Sequence, residues 1–156
     1  MWAHGRWSRV ALAPFLALLL AGCGVIIIDS TSGHDELHGA IRDTAAEINL
    51  HYAQLRAAPT VFEARVEVER HRVAMEAHDR ELGRNLHAMR CAAGGADDMF
   101  GLMANLEARV EAYVTAAMNA PTVPDLVALC HTYADDLDRL FDRLDDAAER
   151  LRCAAE

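Results

Sequence analysis

Apolar residues recur at every seventh position across two long stretches of this chain. The first carries Val61, Val68, Met75, Leu82 and Met89; the second carries Val123, Cys130, Leu137, Leu144 and Leu151. A sustained seven-residue spacing keeps one stripe of a helix facing its neighbours at a shallow crossing angle, the geometry of a bundle. The two stretches also correspond position by position at an offset of 62 residues. Ala58-Pro59-Thr60-Val61 recurs as Ala120-Pro121-Thr122-Val123, and Arg90-Cys91-Ala92-Ala93 as Arg152-Cys153-Ala154-Ala155. Asp35 and Gly39 recur as Asp97 and Gly101, and no gap is needed between these anchors.

Punctuation is sparse. Pro59 and Pro121 mark two turns, and Gly94-Gly95 marks one break. The spacing predicts four helices at 34–57, 61–92, 96–119 and 123–154. The shorter helices have their own apolar stripes: Leu37, Ile41, Ile48 and Leu55 in the first, Met99, Met103, Val110 and Ala117 in the third. The expected fold is all-α: an antiparallel four-helix bundle made of two helical hairpins, 34–93 and 96–155, repeated at the 62-residue offset. Thr60 with Glu63, and Thr122 with Asp125, have the spacing of a capping box at the starts of the long helices. Gly94 and Gly95 suit the left-handed turn that ends the second helix.

Before the bundle, Arg6 and Arg9 precede an uncharged apolar run from Val10 to Leu20, followed by Ala21, Gly22 and Cys23. A basic start and a short apolar core read as a secretory signal peptide. Leu20-Ala21-Gly22-Cys23 resembles the lipobox of bacterial lipoprotein precursors. That resemblance covers only the first two dozen residues. It implies a signal peptide at 1–22, acylation of Cys23 as the first mature residue, and a lipidated tether at 23–33 leading to a domain at 34–156. Val10 to Ile28 is barely long enough to span a bilayer, and Pro14 with the small residues before Cys23 favours cleavage. By resemblance to enteric lipoproteins, Gly24 in place of Asp leaves outer-membrane sorting open. The expectation is a cell-envelope protein, anchored in the outer membrane and facing the periplasm.

All fifteen basic residues are arginine. Two of them and none of the twenty-four acids precede Cys23, leaving thirteen basic against twenty-four acidic residues in the remainder. That sign disfavours nucleic acid as a partner. Beyond Cys23 lie Cys91, Cys130 and Cys153, an odd number for an oxidising compartment. Cys91 and Cys153 are equivalent in the repeat and pair as a disulfide if the ends of the long helices lean together. A stagger between the hairpins would hold them about 14 Å apart, beyond bridging distance. Cys130 takes the place of Val68 and reads as a buried thiol.

Histidines distinguish the two halves. His38, His51, His71 and His78 stand where Phe100, Tyr113, Tyr133 and Leu140 stand 62 residues later. A buried imidazole needs a partner, a proton change or a metal. Hairpin register places His38 level with His78, and His34 lies four residues from His38 on the same face. His34, His38 and His78, with Asp35 or Glu81 nearby, form the candidate ligand set for zinc or copper. His71 falls level with Glu47 as an ion pair. The methionines at 75, 89, 99, 103 and 118 mostly follow the seams and read as core filling.

No phosphate loop, nucleophile elbow or metalloprotease motif is present, so an enzyme is not expected. The leading reading is a structural or protein-interaction lipoprotein held to the membrane by its lipid. It would offer an acidic helical surface to an envelope protein, and pairing with a second copy is open. The alternatives are a metal-binding helical module and a cradle-type envelope chaperone, which predicts a concave apolar surface rather than a closed core.

Overall fold

The computed structural model describes residues 30–89 and 93–151. Four helices account for nearly all of them: α1 Ser30–Ala57, α2 Val61–Ala88, α3 Ala93–Asn119 and α4 Val123–Arg150. They pack as a ring. α1 lies against α2 and α4, α3 lies against the same two, and α2 approaches α4 across the diagonal. The described residues contain no strand, and no helix among them is long and apolar enough to cross a membrane.

The seams read from the sequence are the core. Leu37, Ile41, Ile48 and Leu55 of α1 are buried, as are Val68, Met75 and Leu82 of α2. Met99, Met103, Val110 and Ala117 of α3 join Cys130, Leu137 and Leu144 of α4, with Leu151 just beyond it. The end positions Val61, Val123 and Met89 are half-buried against this cluster. Each fully buried large apolar side chain contributes about 1.5–3 kcal/mol relative to exposure, so this stripe outweighs any local propensity. Met118 stands apart from the other core methionines, on the surface.

The long helices start at capped threonines. Thr60 and Thr122 sit in extended backbone, and their hydroxyl oxygens accept from the backbone N–H of Glu63 at 3.2 Å and Asp125 at 3.3 Å. The carboxylates do not reach back to the cap backbone as the capping-box spacing implies. Each instead accepts from the threonine hydroxyl, at 2.7 Å for Glu63 and 2.5 Å for Asp125. One threonine thus both receives from the first turn and donates to its acid, which is compatible with its single O–H and two lone pairs.

Four boundaries depart from the sequence reading, one of them the end of α4, which falls at Arg150 and not at the expected 154. α1 begins at Ser30, so residues 30–33 of the expected tether are helical. Gly33 costs a helix about 1 kcal/mol relative to alanine, but it lies beneath Met89: a Cβ there would sit 3.2 Å from Met89 Cγ. The close approach of Met89 compensates the weak propensity. α2 ends at Ala88, several residues before the expected 92. α3 begins at Ala93, which puts Gly94 and Gly95 inside its first turn rather than at the end of α2. Glycine's entropic cost is that of a helix interior, so a pair of glycines is tolerated in the terminal turn.

Gly39 in α1 and Gly101 in α3 need no such packing reason, because the space beside each Cα is open. Replacing both by alanine should stabilise the protein by about 0.5–1 kcal/mol each, through a smaller loss of backbone freedom. A thermal melt of the double variant should shift upward by several degrees. A downward shift would mean that one of these glycines makes a contact outside the described residues.

Candidate functional site

Each helix sends one polar aromatic side chain to the same level of the bundle: His51 from α1, His71 from α2, Tyr113 from α3 and Tyr133 from α4. All four are buried, at 0%, 1%, 5% and 6% exposure. The two imidazoles stack at 4.1 Å and 7°, and the two phenols at 4.2 Å and 11°. Each imidazole meets a phenol edge-on, His51 with Tyr113 at 5.6 Å and His71 with Tyr133 at 5.7 Å. The polar atoms pair in the same way. His51 Nε2 lies 2.7 Å from Tyr113 Oη, and His71 Nε2 lies 3.1 Å from Tyr133 Oη. In both bonds the partners are 62 residues apart.

The partners fix the tautomers. His71 Nδ1 lies 3.3 Å from a carboxylate oxygen of Glu47, which can only accept from an uncharged imidazole N–H. Nδ1 therefore carries the proton, and the bare Nε2 accepts from the Tyr133 hydroxyl. The Nδ1 of His51 is buried without a partner. A proton on Nε2 leaves a lone pair there rather than an orphaned N–H, the rarer defect. His51 then donates its Nε2–H to the Tyr113 hydroxyl oxygen.

Burial sets the charge. It pulls His51 down to about 4 and His71 to about 3, the latter also opposed by the neighbouring His51 and His78. Both are neutral at neutral pH, so His71 and Glu47 form a hydrogen bond and not the ion pair expected from register. Burial raises Tyr113 and Tyr133 well above the ordinary phenol range. The Cys130 thiol is pushed up to about 11 by burial, against the Tyr113 hydrogen bond that favours thiolate. A protonated thiol closed off from solvent is a poor nucleophile. The layer is hydrogen-bonded, uncharged and sealed.

The expected ligand set is not gathered. His38 turns toward α4, where its Nδ1 lies 2.6 Å from Asp145 Oδ1. His78 is half-buried on α2, near enough to Glu47 and His71 to influence their charge. His34 lies near the start of α1, and Asp35 and Glu81 are exposed. Among the described residues, no group of three or more His, Cys, Asp or Glu side chains converges as metal ligands would. Hairpin register predicts which residues are level, but not toward which neighbour each one turns. α1 has two neighbours, and it is Asp145 of α4 that His38 meets. Cys23, Cys91 and Cys153 lie outside the described residues. Cys130 is buried as expected, while its neighbour His131 faces outward to Asp135 at 3.1 Å.

Sequence reasoning singled out His51 and His71 as imidazoles standing at the places of Tyr113 and Tyr133, but did not pair them with those tyrosines. The offset held that signal: residues near an axis relating two copies meet their own counterparts. Outside the core, a furrow of about 580 Å³ runs between α2 and α3 over Met75, Leu106 and Val110. Its walls carry Glu76, Asp79 and Glu107, and burial followed by the Glu107 charge raises the Asp79 carboxyl. Comparison with protein families, with curated proteins and with solved structures finds no match to this chain.

Proposed function

We propose that this chain is a lipid-anchored cell-envelope protein whose helical bundle docks another protein and carries out no chemistry of its own. The anchor is Cys23, on the strength of the lipobox resemblance. The bundle is two antiparallel hairpins, the second a copy of the first at an offset of 62. Three things support that repeat. The counterparts Val68 and Cys130, Met75 and Leu137, and Leu82 and Leu144 are all buried. Thr60 and Thr122 both cap helices. The two hydrogen bonds of the central layer each join counterparts.

The observation that carries the docking reading is a contrast between interior and surface. The reactive side chains that the fold gathers are sealed in the core, where no substrate reaches them. On the outward face of α2, Phe62 is 76% exposed, with Val66 and Val73 also exposed along the same line. Large apolar groups in a row on a charged surface suit a binding face. The closed core and the charged walls of the α2–α3 furrow favour this over a cradle-type chaperone.

Two experiments in whole cells test the reading. Cys23→Ser should release the protein from the membrane fraction and abolish acyl labelling. A photoreactive residue in place of Phe62 should give a discrete cross-linked adduct, whereas the same residue at the exposed Ala108 of α3 should not. An acylated Cys23→Ser protein would remove the anchor, and equal labelling at both positions would remove the docking face.

A further inference from the structure

The furrow between α2 and α3 marks a difference between the two halves of the bundle. Sixty-two residues from Asp79 stands Phe141, and sixty-two from Glu107 and Val114 stand Ala45 and Tyr52. Where α1 meets α4, Phe141 is buried, with Ala45 bordering the same groove, and Tyr52 packs edge-on against His131 at 6.1 Å. Where α2 meets α3, a carboxylate and a smaller valine stand in place of those two aromatic rings. The floor keeps its apolar character: Met75, Leu106 and Val110 are buried, and Val114 is half-buried. At about 580 Å³ the furrow has the size of a small-molecule site. Such sites combine an apolar lining with a few placed polar groups.

The polar groups here are acids. α2 brings Glu76 and Asp79 to the walls, and α3 brings Glu107 and Glu111 and no basic residue. Of the two arginines on the α2 side, Arg72 is held by Glu69 and Glu76. The other, Arg80, follows Asp79 along the helix. Its charge draws the Asp79 carboxyl down by less than burial and Glu107 push it up. The Oδ1 atom of Asp79 is buried and has no hydrogen-bond partner among the described residues. A buried acceptor without a donor is destabilising, and a donor that reaches it relieves that cost. The walls therefore call for a group with positive charge and an N–H, and the floor calls for an apolar one.

We infer that the α2–α3 furrow is a binding site for a small protonated amine whose apolar body is the size of an aromatic ring. The ammonium head donates to Asp79 and is flanked by Glu107. The body lies over Met75, Leu106 and Val110, at the level where the other half buries the ring of Phe141. A carboxylate on the same body is repelled by Glu107 and Glu111. A quaternary ammonium carries the charge but has no N–H for Asp79 Oδ1. The inference goes beyond the docking reading and shares none of the residues Phe62, Val66 and Val73 on which that reading stands.

Titration of the purified full chain with phenylethylammonium tests this, followed by calorimetry and by the methyl NMR signals of Met75 and Val110. The amine should bind with a dissociation constant of about 1 mM or tighter and shift both methyl signals. Ethylammonium has the head without the ring and should bind about tenfold more weakly or worse. Phenylpropionate should not shift these methyls, and the N-trimethyl form of the amine should bind more weakly than the amine itself. Asp79→Asn should weaken binding about tenfold. Asp146→Asn, at an exposed acid of α4 outside the furrow, should leave it unchanged. Asp79→Phe with Glu107→Ala installs the residues of the other half, and this double variant should melt higher and bind no amine. If the double variant does not fold, Asp79→Asn still decides. Unmoved Met75 and Val110 signals, equal affinity for ethylammonium, phenylpropionate or the N-trimethyl form, or full affinity in Asp79→Asn would overturn the inference. None of these outcomes alters cross-linking from position 62, so the docking reading stands or falls separately.

Discussion

Acidifying the protein from pH 7 to pH 4.5 lowers its unfolding free energy by on the order of 5 kcal/mol. The cause is the pair of buried imidazoles. In the unfolded chain each takes up a proton near pH 6.5. In the fold, burial delays that uptake to about 4 for His51 and about 3 for His71. Their contribution to stability is therefore fully present above pH 6.5 and is lost as the pH falls toward those folded values. Two such groups give a slope of about 2.7 kcal/mol per pH unit within the window. Glu47 and Asp79 act in the opposite direction, since burial raises both carboxyls and the fold holds their protons more tightly than the unfolded chain does. Both are only partly buried, so they offset a fraction of the loss. Total stabilities of domains this size are about 5–15 kcal/mol, so the acid effect is large enough to unfold the bundle. Urea titrations at half-unit pH intervals measure it. A midpoint that stays constant between pH 7 and pH 4.5 would show that the imidazoles are hydrated in the native state.

The second large effect comes from removing one member of the layer. His71→Ala opens a cavity between α2 and α4, ends the stack on His51 and leaves the Tyr133 hydroxyl buried without its partner. Cavity and orphaned hydroxyl together should cost about 3–5 kcal/mol. The loss should be repairable in a way that separates volume from polarity. His71→Leu fills most of the space but still strands the Tyr133 hydroxyl, so it should remain clearly destabilising. Combining His71→Leu with Tyr133→Phe removes both polar partners, and this double variant should be more stable than His71→Leu alone. It should also show about half of the acid slope, since one of the two imidazoles is gone. If the double variant is no more stable than the single one, the hydrogen bond between His71 and Tyr133 is not what the layer depends on.

The layer specifies the packing of the bundle more than it strengthens it. Apolar seams at seven-residue spacing admit small slips of one helix against the next, because neighbouring leucines and valines are interchangeable in water. A hydrogen bond from His51 to Tyr113, and another between Tyr133 and His71, are satisfied at one register only. Any slip would bury four polar groups without partners, each costing about 1–3 kcal/mol. Arg65 adds a lock at the end of the bundle, where its guanidinium donates to the Ala120 carbonyl at 3.0 Å, just past the end of α3. A cation at that end of a helix also complements the helix dipole.

Sequence alone determined the helices, the stripe each one buries and the capped threonines, because those depend on the period of apolar residues and on neighbours three or four apart. It also showed that His51 and His71 stand where Tyr113 and Tyr133 stand 62 residues later. It did not determine that they stack on each other and bond to Tyr113 and Tyr133, or that His38 turns to Asp145 and away from His78. Nor did it place Met89 over Gly33, the contact that accompanies the earlier start of α1. These are choices between two neighbouring helices at the same height. Periodicity fixes the height and the face of a side chain, but only the closed ring of four helices supplies the partner it meets.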